Sequence, residues 1–183
     1  TRRPAVMRAA LEAGASMVND VQALQAAGAL EVVRNGKCAV CLMHMKGEPA
    51  TMQREPPYDD VVAEVKEFLR QRVATAEAAG IARERLVVDP GFGFGKTAEH
   101  NLTLLAGLAA LRELGLPVLA GLSRKSTLGK LTGRPVTERL AGSLAMALLA
   151  LQNGATILRV HDVKETRDVV AVWEALSLVK ARA

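Results

Sequence analysis

Five short apolar runs in this sequence end on polar side chains, and those ends carry most of its chemistry. They are Asn19 with Asp20; Met43 with His44; Asp89; Gly121 followed by Ser123, Arg124 and Lys125; and Arg159 with His161 and Asp162. The last two groups combine Lys125, Arg159 and His161, all cations or potential cations, with the hydroxyl of Ser123. Such a set neutralises an anion, and a phosphorylated ligand fits it. Asn19 and Asp89 are groups of a different kind, an amide and a carboxylate. Facing one cavity, they suit a flat heterocycle with several N–H donors and ring acceptors.

The elements that must position these groups alternate strictly. Pro4 at a first-turn position opens a helix over Ala5–Ala13 that Gly14 stops. "ASMVND" reads as a short strand, a helix follows around Ala26–Arg34, and "CAVCLMHM" is an apolar run short enough to be a strand buried on both faces. "KGEPATMQREPPY" is a long proline-bearing loop, and Asp59 starts an amphipathic helix over Val61–Ala79. The plan then repeats: strand "RLVVD", loop "PGFGFGKTAEH" and a helix over Asn101–Leu114; strand "LPVLAG", loop "LSRKSTLGKLTGRP" and a helix over Thr137–Asn153; strand "TILRV", loop "HDVKE" and a last helix through Val179.

Five strands and six helices in strict alternation predict a parallel sheet with right-handed crossovers. The polar strand ends share one polarity, and the long loops follow the strands. Both features favour a TIM (β/α)8 barrel, whose ligand mouth lies at the C-terminal ends of its strands, over a doubly wound sheet with one switch point. A closed barrel takes about 250 residues, so residues 1–183 are read as one domain supplying the C-terminal part, with three strands expected before Thr1.

Each polar end also has a plainer reading. Asp20 and Asp162 suit helix caps, His44 suits a satisfied core histidine, Asp89 before Pro90 suits a turn, and Arg124 suits a surface ion pair. Two motifs are set aside. "GFGFGKT" resembles a phosphate loop, but that pattern needs glycine where Pro90 stands, and it matches a dinucleotide fingerprint only in part. His44, His100 and His161 lack metal-ligand spacing, so no metal site is expected in this chain. His100 reads as part of a helix start.

Composition narrows the classes. With 24 Lys and Arg against 19 Asp and Glu, the net charge is +5, spread along the chain without a basic block. That bias favours anionic ligands but is no nucleic-acid footprint. The longest apolar stretch, Leu144–Leu151, is too short for a membrane span. Only 3% of residues are aromatic, so the core must be built from Ala, Leu and Val. Cys38 and Cys41 read as buried thiols of a reducing cytoplasm, because residues three apart on a strand face opposite ways.

The segments "MVNDVQAL", "CLMHMKGEPATMQ", "DPGFGFGKTAEHNLTLL", "GLSRKSTLG" and "LRVHDVKET" together resemble the dihydropteroate synthase family, in family order along nearly the whole chain. "TRRPAV" resembles the family stretch that directly follows a pterin-binding Asp, which is expected just before Thr1. The resemblance implies condensation of 6-hydroxymethyl-7,8-dihydropterin pyrophosphate with p-aminobenzoate to give 7,8-dihydropteroate and pyrophosphate. It places Asn19, Met43, Asp89 and Lys125 around the pterin, with Gly121 leaving room for the ring. It puts Phe94 and Ser123 along the p-aminobenzoate path and Arg159 and His161 at the pyrophosphate, making Lys125, Arg159 and His161 the catalytic set.

The reaction so implied is SN1-like: cations stabilise the departing pyrophosphate, and the aniline nitrogen captures the pterin methylene cation. It needs no protein nucleophile, in keeping with a sequence that displays no Ser–His–Asp or Cys–His arrangement. Mg²⁺ is implied as the partner of pyrophosphate, its Asn ligand and two mobile loops being expected outside this chain. Sulfonamides are implied as p-aminobenzoate mimics that bind residues 1–183 only weakly or not at all without those loops. A homodimer through the last helices is implied as well. The alternatives are a non-catalytic pterin-binding paralogue and a pterin-dependent methyltransferase on the same fold.

Overall fold

Alternating side chains sort the strands of this chain into an inner and an outer face, and the core follows from that sorting. A computed structural model describes residues 1–47 and 58–180; most of the proline-bearing loop expected after the second strand, residues 48–57, lies outside the described residues. The strands are β1 (Met17–Asp20), β2 (Ala39–Met43), β3 (Leu86–Asp89), β4 (Leu119–Ala120) and β5 (Ile157–Leu158). All pair in parallel and in chain order, β1 to β3 in one sheet and β4 with β5 in another, with the single bridge Val88–Val118 joining the two. Sequential parallel order is that of a TIM (β/α)8 barrel, here as an arc of its wall.

Val18, Val40, Leu42, Leu86, Val88, Val118, Ala120 and Leu158 face outward and join the large core under the helices. Their neighbours Cys41, Val87 and Leu119 form a separate small cluster with Ile157. That cluster is the barrel interior, since successive strand residues point to opposite faces. The two cysteines divide as expected: both are free and buried, Cys38 in the outer core and Cys41 in the inner cluster.

The helices are α1 (Pro4–Glu12), α2 (Ala29–Asn35), α3 (Val61–Ala78), α4 (Ala98–Ala106), α5 (Ser126–Thr132), α6 (Leu140–Gln152) and α7 (Val163–Lys180). Asp60 caps α3 by accepting from the N–H groups of Val62 and Ala63, both at 3.0 Å. Thr97 and His100 cap α4 reciprocally.

The structure departs from the sequence reading at four places. The described residues hold seven α-helices, not six, because α5 forms inside the stretch taken as one loop. The helix expected over Asn101–Leu114 is α4 followed by a 3-10 stretch, Leu108–Leu114. They meet at Gly107, where a Cβ would lie 2.8 Å from Val62 of α3, so the glycine permits close packing. The helix expected over Thr137–Asn153 is likewise preceded by a 3-10 turn, Val136–Glu138. The second helix starts three residues late, at Ala29, because Gly28 directly before it is left-handed, with φ at 81°. Asp20 caps no helix: its carboxylate accepts from Gln22 N at 3.0 Å and Leu24 N at 2.9 Å, folding over itself a segment in which Ala23 and Leu24 also adopt positive φ, 49° and 60°. Among the described residues no helix is long and apolar enough to cross a membrane.

Candidate active site

Two residues beyond each member of the inner cluster, on the same face of its strand, stand the chemical groups. Cys41 leads to Met43, Val87 to Asp89, Leu119 to Gly121 and Ile157 to Arg159. An apolar layer thus underlies a polar one at the C-terminal mouth. Met43 and Asp89 are neighbours in strand register, and both are fully buried.

Asp89 forms the turn expected before Pro90 and also meets a cation across the mouth. One carboxylate oxygen accepts from Gly91 N at 2.8 Å, the turn-forming bond. The other accepts from Arg159 Nη2 at 3.1 Å. Burial pushes the Asp89 carboxyl up, and Arg159, the Gly91 N–H, Lys125 and Lys96 oppose the shift. The Arg159 guanidinium also donates to Asn19 Oδ1, so it spans the mouth from β5 to β1. Asn19 Nδ2 is buried and has no hydrogen-bond partner among the described residues, a donor still available to a ligand.

The guanidinium rests above Gly121, where a Cβ would lie 2.7 Å from Arg159 Nη2. This differs from the arrangement the resemblance implies. Arg159 is turned inward onto Asn19 and Asp89, and it lies against Gly121, which was expected to leave room for a ring. The physical reason is the buried carboxylate: Asp89 Oδ2 needs a donor, and Arg159 is within reach.

Lys125 Nζ lies 4.4 Å from the centroid of the Phe94 ring. Burial and the neighbouring Arg159 lower its pKa, and Asp89 raises it. Ser123 Oγ sits 3.0 Å from His161 Nδ1 and accepts from His161 N at 3.3 Å. The sequence reading missed this Ser–His contact because the two residues are 38 positions apart. It makes no triad, since the adjacent carboxylate, Asp162, is engaged by Arg124. Arg124 is therefore an ion-pair residue, one of its two expected readings, and Asp162 serves that pair.

A cavity of about 330 Å³ is lined by Phe94, Gly121, Ser123, Lys125, Arg159 and His161. A larger one of about 760 Å³, between β5 and α7, is bordered mainly by apolar side chains such as Leu158, Val170 and Trp173 and shares only Arg159 with the six residues just named. The strand-end groups Asn19 and Asp89, both bonded to Arg159, and Met43, beside Asp89 in register, thus stand at the same mouth as these six. Among the described residues no group of three or more His, Cys, Asp or Glu side chains is placed to hold a metal ion.

His44 does not face the cavity. It is buried, its Nδ1 lies 2.9 Å from Lys96 Nζ, and burial, then Lys96 and Lys46, push its pKa down to about 3. This is the satisfied core histidine. Its partner Lys96 was hidden in the "GFGFGKT" segment that the motif test set aside; the only sequence signal was a lysine placed in a strand-end loop.

Residues 1–161 match the family model described as pterin binding enzyme. Dihydropteroate synthase of Escherichia coli (strain K12) is 50% identical over 96% of this chain and 62% of its own length. That of Haemophilus influenzae is 49% identical over 93% of this chain and 62% of its own. The chain thus spans less than two thirds of the curated relatives it matches. Two solved structures superimpose closely. Dihydropteroate synthase from Xanthomonas albilineans in complex with 7,8-dihydropteroate has a TM-score of 0.91 at 55% identity, over 97% of this chain and 67% of that one. The Yersinia pestis enzyme with a sulfonamide drug has a TM-score of 0.95 at 45% identity, over 98% and 65%. With the polar mouth in place and nearly nine tenths of its length under that family model, the chain belongs to the pterin binding enzyme family.

Proposed function

We propose that this chain carries the pterin and pyrophosphate sites of a dihydropteroate synthase. In this reading it works within a polypeptide whose preceding segment completes the barrel as one domain. The observation that carries the reading is the pairing, across one mouth, of a buried carboxylate and an amide whose Nδ2 has no partner among the described residues with the basic groups Lys125, Arg159 and His161. The names of its relatives support the same reading.

The Arg159–Asp89 contact suggests how binding proceeds. A pterin presents an amino group and a ring N–H side by side, the donor pattern of a guanidinium edge. The pterin takes over Asp89 and Asn19 from Arg159, and the freed guanidinium turns to the pyrophosphate beside His161. The pterin methylene–oxygen bond then breaks with its electron pair leaving on pyrophosphate, and Lys125, Arg159 and His161 stabilise the developing charge. The aniline nitrogen of p-aminobenzoate, held near Phe94 and Ser123, bonds to the methylene carbon and loses a proton. Sulfonamides, which share the aniline end, compete for that position.

Among the described residues no group of three or more His, Cys, Asp or Glu side chains is placed to hold Mg²⁺. It enters only as a companion of pyrophosphate, with any protein ligand outside residues 1–183. A homodimer is proposed through α7, where Val172, Leu176 and Val179 share one exposed helical face. A cytoplasmic setting is proposed from the two free, buried thiols.

The test is pyrophosphate release by the purified protein. The reading requires release to depend on the pterin ester and to be accelerated by p-aminobenzoate. Binding of the ester without release would mark a non-catalytic pterin binder.

A further inference from the structure

Lys96 is a buried lysine that the proposed reaction does not use. Its Nζ meets three acceptors: His44 Nδ1 at 2.9 Å, Gly91 O at 3.0 Å and Phe94 O at 3.1 Å. An ammonium has three N–H donors, and here each has a partner. The three partners belong to two loops. Gly91 and Phe94 lie in the loop after β3, and His44 follows β2.

Those loops are pressed together. At Gly91 a Cβ would fall 1.8 Å from His44 O, and at Gly95 it would fall 2.0 Å from Lys46 O, so the backbones touch where only glycine fits. The far end of the β3 loop is pinned separately: Asn101 accepts from Gly93 N at 2.7 Å and donates to Thr97 O at 2.6 Å. Between these anchors Phe94 projects toward the mouth, under the Lys125 ammonium. Burial pushes the Lys96 pKa down to about 7, while Asp89 raises it. The three acceptors favour the charged form that alone satisfies them all. Accepting from Lys96 also fixes His44 as the tautomer with its proton on Nε2.

We propose that Lys96 is a positioning residue: it clamps the β3 loop to the β2 loop and thereby places the Phe94 ring at the p-aminobenzoate end of the site. The proposal rests on the activity proposed above. Lys96 is buried and does not line the cavity, so its effect reaches the reaction through Phe94.

The test is steady-state kinetics of Lys96→Met, a near-isosteric substitution without donors. The KM for p-aminobenzoate is expected to rise at least about tenfold, while affinity for 6-hydroxymethylpterin changes by less than about threefold. Phe94→Leu should give the same split, and the double variant should be no worse than the more impaired single variant. A merely structural role lowers the melting temperature without that split, and an unchanged p-aminobenzoate KM overturns the proposal. If Lys96→Met does not fold, His44→Leu, which removes one of the three acceptors, should give a smaller rise of the same kind, and no rise overturns the proposal. If the unmodified protein turns nothing over, the functional reading has failed. The clamp is then decided by the aromatic NMR resonances of Phe94, which shift in Lys96→Met if the lysine places the ring and stay fixed if it does not.

Discussion

The guanidinium of Arg159, just past the end of β5, holds the buried carboxylate of Asp89, at the end of β3, at 3.1 Å. The pair is unequal: the Asp89 side chain is 1% exposed and that of Arg159 44%. A carboxylate so enclosed cannot be left without a donor, whereas an arginine with access to solvent can leave at little cost. The contact is therefore suited to exchange.

Arg159→Ala tests that exchange. It strands the Asp89 carboxylate, and a pterin ring then relieves a penalty that the unmodified protein does not carry. Affinity for 6-hydroxymethylpterin should hold or rise, while kcat/KM for the pyrophosphate ester falls by about a hundredfold or more. Calorimetry for the first and initial rates for the second check this. A large loss of pterin affinity would show that the guanidinium supports the ring and does not compete with it.

Gly121→Ala puts a methyl 2.7 Å from Arg159 Nη2. The obstructed atom ends a flexible side chain, so the fold should survive with its melting temperature within a few degrees. The mouth should not, and pterin affinity is expected to fall at least about tenfold, as shape mismatch in a packed pocket does. Fluorescence titration and thermal denaturation separate the two effects.

Lys125 and Lys130 lie five residues apart but in different surroundings. Lys125 is partly buried against Phe94, while Lys130 is on the exposed side of α5. Lys125→Ala is expected to lower kcat/KM by about a hundredfold or more, and Lys130→Ala to change it by less than about twofold. Equal kinetics for the two variants would show that the site is misplaced.

His44 makes stability depend on pH. Its pKa is pushed down to about 3 in the folded chain, by burial and then by Lys96 and Lys46, while an unfolded histidine takes up its proton near 6.5. The unfolded chain therefore binds more protons between those values. The associated stability is whole above pH 6.5 and drains away as pH falls toward 3, at roughly 1.4 kcal/mol per pH unit, or roughly 2 kcal/mol by pH 5. Urea denaturation at pH 7 and pH 5 should show this loss, and His44→Asn should show a smaller one. Identical losses would mean that His44 titrates normally.

What the sequence made legible follows from the range of the interactions involved. Strands such as Cys41 with its neighbours, and the polar residue ending each one, could be read because strand alternation and chain polarity are local and periodic. The gathering of Asn19, Asp89, Lys125, Arg159 and His161 at one mouth followed from parallel order alone. The helix α5 was hidden because it is seven residues long and contains Gly129, which reads as loop. Asp20 was read as a cap because that preference is statistical, whereas its real bonds depend on the left-handed turn at Ala23 and Leu24. Lys96 and His44 come from loops 52 residues apart, as Ser123 and His161 come from the ends of different strands. No local pattern encodes those contacts. The inward turn of Arg159 was also out of reach, since it answers the unmet demand of a buried carboxylate that only the assembled barrel creates.

The central claim is catalysis at this mouth, and product identity tests it most directly. Purified protein is incubated with 6-hydroxymethyl-7,8-dihydropterin pyrophosphate and p-aminobenzoate, and the mixture is resolved by mass spectrometry. 7,8-Dihydropteroate and pyrophosphate are expected in equal amounts, with both lost in Lys125→Ala. A protein that binds the pterin ester yet forms no dihydropteroate would contradict the claim.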